Sequence, residues 1–133
     1  MAMISKEKAV TISLTLLRLM AALMFFQAGG VKMLGWFGGM PGGMELTPLI
    51  QAAGILELVG GAFLFLGLFT RPVAFILSGQ MAVAYFIAHF PQGFWPAQNN
   101  GIPAVLFCFV FLFFAAYGAG SFSLDNLICN KKK

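Results

Sequence analysis

The sequence predicts an all-α integral membrane protein built as a bundle of four transmembrane helices. Of its 133 residues, 60% are apolar and only 9% are charged, and the mean hydropathy is +0.91. A soluble domain carries about 25% charged residues, so this chain has too little charge to cover a surface exposed to water. Disorder is excluded as well, because disordered chains have low hydrophobicity. The length predicts a single membrane domain over residues 1–133.

Four apolar stretches come close to the roughly 20 residues that a membrane-spanning helix needs. Glycine and proline mark the breaks between them. Residues 35–43 form a glycine-rich loop, Pro72 opens a helix after a tight connection, and residues 90–100 hold two prolines. The predicted helices cover residues 9–33, 47–69, 72–89 and 102–119.

The basic residues predict the orientation of the chain. Six of the eight basic residues fall on one side of a four-span chain, namely Lys6, Lys8, Arg71 and the lysines at 131–133, and the net charge is +4. Because basic residues remain on the cytoplasmic side, we expect both termini in the cytoplasm. Charge gathered at the termini indicates topology and excludes a nucleic-acid surface.

Two ionisable side chains lie deep inside the predicted spans. A charge in the hydrocarbon layer costs roughly 2.5–3.5 kcal/mol and persists where it is paired or serves a site. Arg18 lies about 4–5 Å from the middle of the first helix, and Glu57 lies near the middle of the second. We expect an Arg18–Glu57 ion pair, either as a structural link or as a proton relay. Glycines at 54, 60 and 61 favour close helix packing or room for a ligand.

A second polar layer is predicted near the outer surface, where Lys32, His89 and Asn99 are candidate ligand-binding residues. Tyr85 joins them because it shares a helix face with His89. Gln80 falls on the opposite face, so we expect it to pair with another helix or another subunit. Apolar walls with a few converging polar groups are typical of a small-molecule site. The alternative is solvation at the interface, with Lys32 reaching to water.

Metal chemistry has little support in the sequence. A single histidine cannot supply both axial ligands of a haem within one chain. Histidine, cysteine and carboxylate residues do not cluster with metal-ligand spacing. We therefore predict no haem site and no metal site, and no catalytic residue can be assigned.

An ordered set of short motifs runs through most of the chain. The set comprises LLRL at 16–19, QAGGVK at 27–32, GWFGG at 35–39, LGLFTR at 66–71, HFPQGF at 89–94, NNG at 99–101 and GAGSFSLD at 118–125. In this order and spacing the sequence resembles the DoxX family of small bacterial membrane proteins, over about residues 16–127.

The resemblance implies a four-helix membrane protein with quinone-linked or sulfur-linked redox work. Some members of the family are membrane subunits of thiosulfate:quinone oxidoreductase. The recurrent polar positions of the family match Arg18, Lys32, Glu57, Arg71, His89 and Asn99. The chain departs from the family where Gln27 replaces a frequent histidine, and where Ile102 and Pro103 replace a frequent glutamate.

Three functions remain open on this basis. The first is a membrane subunit of a redox complex that binds a quinone-like or small sulfur-containing molecule, with electrons coming from partner subunits or a bound organic cofactor. The second is a scaffold or anchor without chemistry. The third is a proton-coupled transporter that uses Glu57. The aromatic fourth helix suits either contact with the lipid bilayer or a homo-oligomer.

Overall fold

The structure is a computed structural model that describes residues 3–131 as an all-α fold. Short 3-10 turns follow α1, at Trp36–Gly38 and Pro41–Gly43. A π-helical turn at Tyr85–His89 and a 3-10 turn at Phe90–Gln92 extend α3. The helices are α1 (Lys6–Leu34), α2 (Pro48–Leu66), α3 (Thr70–Ala84), α4 (Pro96–Asn99), α5 (Ile102–Tyr117) and α6 (Leu124–Lys131).

The prediction of an all-α chain with apolar helices is confirmed. Three helices are long and apolar enough to cross a membrane, namely Lys6–Leu34, Pro48–Leu66 and Thr70–Gln92. The fourth, α5, is also apolar but has 16 residues, or about 24 Å of helix. That length is less than the roughly 30 Å of a hydrocarbon core, so the bilayer would have to thin locally or the flanking residues would have to extend the span.

Local sequence explains where the long helices begin and end. The Ser5 and Thr47 side chains accept hydrogen bonds from backbone N–H groups in the first turns of α1 and α2, as N-caps do. Gly35 and Gly67 end those helices with φ values of 68° and 67°. Such left-handed conformations favour glycine because it lacks a Cβ atom.

The bundle consists of two closely packed helix pairs, α1 with α2 and α3 with α5. Glycines bring the backbones of the first pair together. A Cβ atom at Gly29 would lie 2.5 Å from the Leu58 backbone nitrogen, and one at Gly61 would lie 2.6 Å from that of Phe26. Glycines near Glu57 were predicted either to allow close helix packing or to leave room for a ligand. Gly61 therefore serves helix packing.

Aromatic side chains join the two pairs. The Phe25 ring of α1 meets those of Phe107 and Phe111 on α5 edge to face, with centroids 5.0 and 4.5 Å apart. Phe111 is fully buried. Other phenylalanines, such as Phe75 and Phe109, point outward and are about two-thirds exposed. That apolar exterior is suited to a lipid bilayer.

The bundle has two different ends. The terminal end carries the start of α1, the α2–α3 turn and α6, whereas the loop end carries residues 35–47 and 90–101. At the terminal end, Asp125 accepts hydrogen bonds from the backbone nitrogens of Phe69 and Thr70, at 2.7 and 2.9 Å. Its carboxylate thus caps α3, and it couples the C-terminal segment to the helix turn.

Candidate ligand site between the helix pairs

A buried ion pair joins α1 to α2 inside the bundle. The Lys32 Nζ atom lies 2.6 Å from Glu57 Oε2, and the Glu57 side chain is only 6% exposed. Gln80 of α3 donates from Nε2 to Glu57 Oε1 at 3.1 Å and lies 3.4 Å from the carbonyl oxygen of Ala53. Both carboxylate oxygens therefore have a hydrogen-bond donor, which compensates for the burial of the charge.

The predicted Arg18–Glu57 ion pair is wrong. The register of the antiparallel helices places Gly29 against the backbones of Gly54 and Leu58, on either side of Glu57. Lys32 is three residues from Gly29, or about 4.5 Å along the axis, whereas Arg18 is eleven residues away, or about 16 Å. Aligning the centres of the two apolar stretches gave the wrong partner because α1 is ten residues longer than α2.

Arg18 instead holds the terminal end together. Its Nη1 atom donates to the carbonyl oxygens of Leu64 and Phe65, at 2.6 and 2.8 Å, and its Nη2 atom donates to that of Phe122 at 2.6 Å. The residue is only 2% exposed. The last carbonyls of a helix lack intrahelical partners and carry a partial negative charge. The Arg18 guanidinium group donates hydrogen bonds to these carbonyls and places a positive charge beside their partial negative charge. Arg18 is therefore a structural link, and it is remote from Glu57.

A cavity of about 810 Å³ lies between the two helix pairs. Its polar lining includes Lys32, Glu57, Gln80 and His89, and most of the remaining wall is apolar. Four methionines contribute to that wall, at positions 24, 40, 44 and 81. Methionine side chains are flexible and polarizable, and they adapt to ligands of varied shape.

Part of the cavity lining reaches the outer surface of the bundle. Leu56 of α2 and Ile76 and Val83 of α3 line the cavity and are also exposed on the surface of the bundle. No charged side chain is among these three. An entrance at these apolar residues would suit a hydrophobic molecule in the bilayer.

His89 reaches the cavity because α3 changes its winding. The Phe90 N–H bonds to the Tyr85 carbonyl oxygen, five residues earlier, and makes the π-helical turn. Pro91 follows at once; its ring would crowd the Ile87 carbonyl in a regular helix, and the wider turn relieves that contact. A regular helix would place Gln80 and His89 on opposite faces, but after the π-turn both line the same cavity.

Two predicted ligand contacts lie outside the cavity lining. Asn99 is fully buried and uses its amide within the loop: Nδ2 donates to Gly93 O at 2.7 Å, and Oδ1 accepts from Gly101 N at 2.8 Å. The Tyr85 hydroxyl donates to the carbonyl oxygen of Phe94. These bonds shape residues 90–101, so Asn99 and Tyr85 support the loop and leave the cavity to other groups.

The sequence predicted Gln80 on the face opposite His89, and this is wrong, since both line the cavity. The predicted pairing of Gln80 with another helix is confirmed. The available signal was Pro91, since a proline shortly after a helical segment is a known cause of a local change in winding. The sequence did not indicate that methionines line the cavity, because Met40 and Met44 come from the loop before α2 and follow no helical pattern.

The arrangement is suited to binding an amphiphilic small molecule. Ligand cavities of 300–1,000 Å³ with apolar walls and a few polar groups are typical, and about 810 Å³ lies in that range. The apolar wall can hold a ring or chain. Lys32, Glu57, Gln80 and His89 can form hydrogen bonds with a polar head.

Comparison with known proteins agrees with the motif pattern. The family model for DoxX matches residues 13–90. A Haemophilus influenzae protein described as "Uncharacterized protein" is 42% identical over 130 residues, which cover 94% of this chain and 97% of that protein. No solved structure gives a significant match. The matched segment runs from α1 to the π-turn and includes more than half of the chain, and on this evidence the protein belongs to the DoxX family.

Proposed function

We propose that this multi-pass membrane protein binds a lipid-soluble molecule with a polar head, of the quinone class, in the cavity between the helix pairs. The observation that carries the proposal is a cavity of about 810 Å³ with an apolar, methionine-rich wall and a buried Lys32–Glu57 pair. A quinone matches this lining, because its ring and tail are apolar and its head oxygens form hydrogen bonds.

The redox part of the proposal comes from the family resemblance. The protein would be a membrane subunit that holds the quinone-like or small sulfur-containing molecule for partner subunits, which supply or remove electrons. Glu57 and His89 would exchange protons with the head. Arg18 takes no part in this proton exchange, because its guanidinium group bonds to backbone carbonyls at the terminal end.

We propose that the terminal end faces the cytoplasm of a bacterium and that the chain lies in the inner membrane. Lys6, Lys8, Arg71 and Lys131 all belong to this end, as the positive-inside rule requires; Lys132 and Lys133 lie outside the described residues. Cys129 of α6 is exposed. A membrane-impermeant maleimide should label it in inverted vesicles and not in spheroplasts, and labelling in spheroplasts would contradict this orientation.

Extraction of the purified protein tests the binding proposal. The protein is purified from its native membrane in a mild detergent, and organic extracts are analysed by mass spectrometry. An unrelated small helical membrane protein from the same cells serves as the control. We expect one amphiphilic molecule to be enriched to near the molar amount of the protein. Extracts with the same lipids in the same proportions as the control would contradict binding and favour a scaffold.

A further inference from the structure

We infer that the cavity selects a molecule whose polar head carries a hydroxyl donor, as in a hydroquinone or phenol, over one whose head only accepts hydrogen bonds. The inference deepens the proposed function and rests on it. It follows from counting which polar atoms of the lining already have partners and which remain open to a ligand.

The amide of Gln80 leaves an acceptor without a partner. Its Nε2 atom faces Glu57 Oε1 and the Ala53 carbonyl oxygen. A carboxylate and a carbonyl only accept, so the donor end of the amide must point at them. Its Oε1 atom is buried and has no hydrogen-bond partner among residues 3–131. A buried acceptor without a partner is costly, and a ligand hydroxyl group that reached this atom from the cavity would remove that cost.

The ring of His89 offers a second acceptor. Its Nδ1 atom lies 2.9 Å from the backbone carbonyl oxygen of Asn99. Because that oxygen can only accept, Nδ1 carries the proton, and Nε2 of the neutral ring holds a lone pair. The imidazole lines the cavity and can therefore accept a hydrogen bond from a ligand.

The ion pair leaves acceptor and donor positions in similar number, so Gln80 and His89 provide the excess of acceptors. Each Glu57 oxygen has one partner, Lys32 for Oε2 and Gln80 for Oε1, and an ionised carboxylate offers about four acceptor positions. Lys32 carries three N–H donors and directs one of them at Glu57, so about two donors remain for a ligand. Three of the four side chains thus present acceptors to a ligand.

A hydroxyl-bearing head fits this set better than a carbonyl head. A hydroquinone donates from two hydroxyl groups and can use the acceptors of Gln80 and His89, whereas a quinone only accepts and can bond only to the hydrogens of Lys32 that Glu57 leaves unused. One hydrogen bond gained or lost in a buried site changes affinity by about tenfold. We therefore expect the reduced form to bind about tenfold more tightly than the oxidised form.

Binding of matched ligand pairs tests this selectivity. Dissociation constants are measured without oxygen for decylubiquinol and decylubiquinone on the purified protein, Gln80→Leu and Gln51→Leu. Gln51 is exposed on α2 and does not line the cavity, so its variant is a control for the same chemical change. We expect a preference for the quinol of about tenfold in the wild type and Gln51→Leu, and a loss of most of it in Gln80→Leu.

A second pair excludes redox conversion and does not depend on any variant folding. 4-Decylphenol and its methyl ether differ in the hydroxyl donor and are not a redox couple, and the phenol should bind more tightly to the wild type. Equal affinities within both pairs, or tighter binding of the quinone and the ether, would overturn the inference and leave the proposed function standing. Failure of decylubiquinone and all the other probes to bind would overturn the proposed function itself.

Discussion

At the scale of single residues, the hydrogen-bond partners of Glu57 determine how its charge is stabilised inside the bundle. Glu57 is bonded to Lys32 and Gln80, and the Lys32 side chain is 24% exposed whereas that of Glu57 is 6% exposed. The pair is therefore asymmetric, since the lysine can turn toward the loop end but the carboxylate has no such route. Removing one partner of a buried pair costs more than removing both, because it leaves one charge without compensation.

This asymmetry predicts the order of stability in a double-mutant cycle. Lys32→Met leaves the buried carboxylate unpaired and should cost about 3 kcal/mol. Glu57→Gln should cost less, because Lys32 can extend to the surface. The loss of stability in the double variant should be smaller than the sum of the two single losses, as measured by unfolding in detergent. Additive losses, or a larger loss for Glu57→Gln, would contradict the pair as described.

From the sequence, the burial of polar residues could be predicted more accurately than their partners. Burial of Arg18 and Glu57 followed from their positions in apolar stretches. Their pairing depended on the register of α1 against α2, which is set by the contacts of Gly29 and Gly61 with the opposite backbone. Single-residue patterns carry no information on that register, because many offsets between two apolar helices bury similar surface.

At the scale of elements, one side chain connects three segments at the terminal end. Arg18 of α1 binds the last carbonyls of α2 and the carbonyl of Phe122, just before α6. Asp125 of α6 then caps α3. The C-terminal segment is thus part of the bundle, which explains why an apparently short polar tail takes a defined place beside the helix turn.

Loss of the Arg18 guanidinium group should weaken this end strongly. Arg18→Met removes three charge-assisted hydrogen bonds and should lower stability by about 3 kcal/mol or more. Arg18→Lys should rescue little, since a single ammonium cannot reproduce the planar fork of donors. Thermal unfolding in detergent measures both variants. Arg71→Met is the control, because Arg71 is exposed and donates from Nε to one carbonyl; a loss no larger than in this control would contradict the structural role.

Helix boundaries could be read from the sequence, whereas Pro91 indicated that the winding of α3 changes but not which turn results. Predicted helices at 47–69 and 102–119 agree with α2 and α5 within three residues at each end. Glycine and proline set those ends. The π-turn at Tyr85–His89 arises from a balance between Pro91 and the packing of the helix, and it reverses the expected relation of Gln80 to His89.

At the scale of the whole molecule, the cavity is a consequence of unequal packing. Glycines draw α1 and α2 together, and α3 packs with α5, so space remains between the pairs. Composition predicted the membrane class, and the polar residues predicted a small-molecule site. The shape and volume of that site depend on how the pairs meet through Phe25, Phe107 and Phe111, which no single stretch of sequence specifies.

The central claim is that an amphiphile occupies the cavity. It can be tested by filling the cavity with a larger side chain and measuring how much amphiphile remains bound. Ala84 of α3 lines the cavity, whereas Ala116 of α5 is exposed outside it. Ala84→Phe and the matched Ala116→Phe are purified alongside the wild type, and variants that unfold near the wild-type temperature are extracted for mass spectrometry. The account predicts that the enriched amphiphile remains in Ala116→Phe and is lost or strongly reduced in Ala84→Phe. Equal amounts of the amphiphile in all three proteins would show that it binds elsewhere, and would contradict the account.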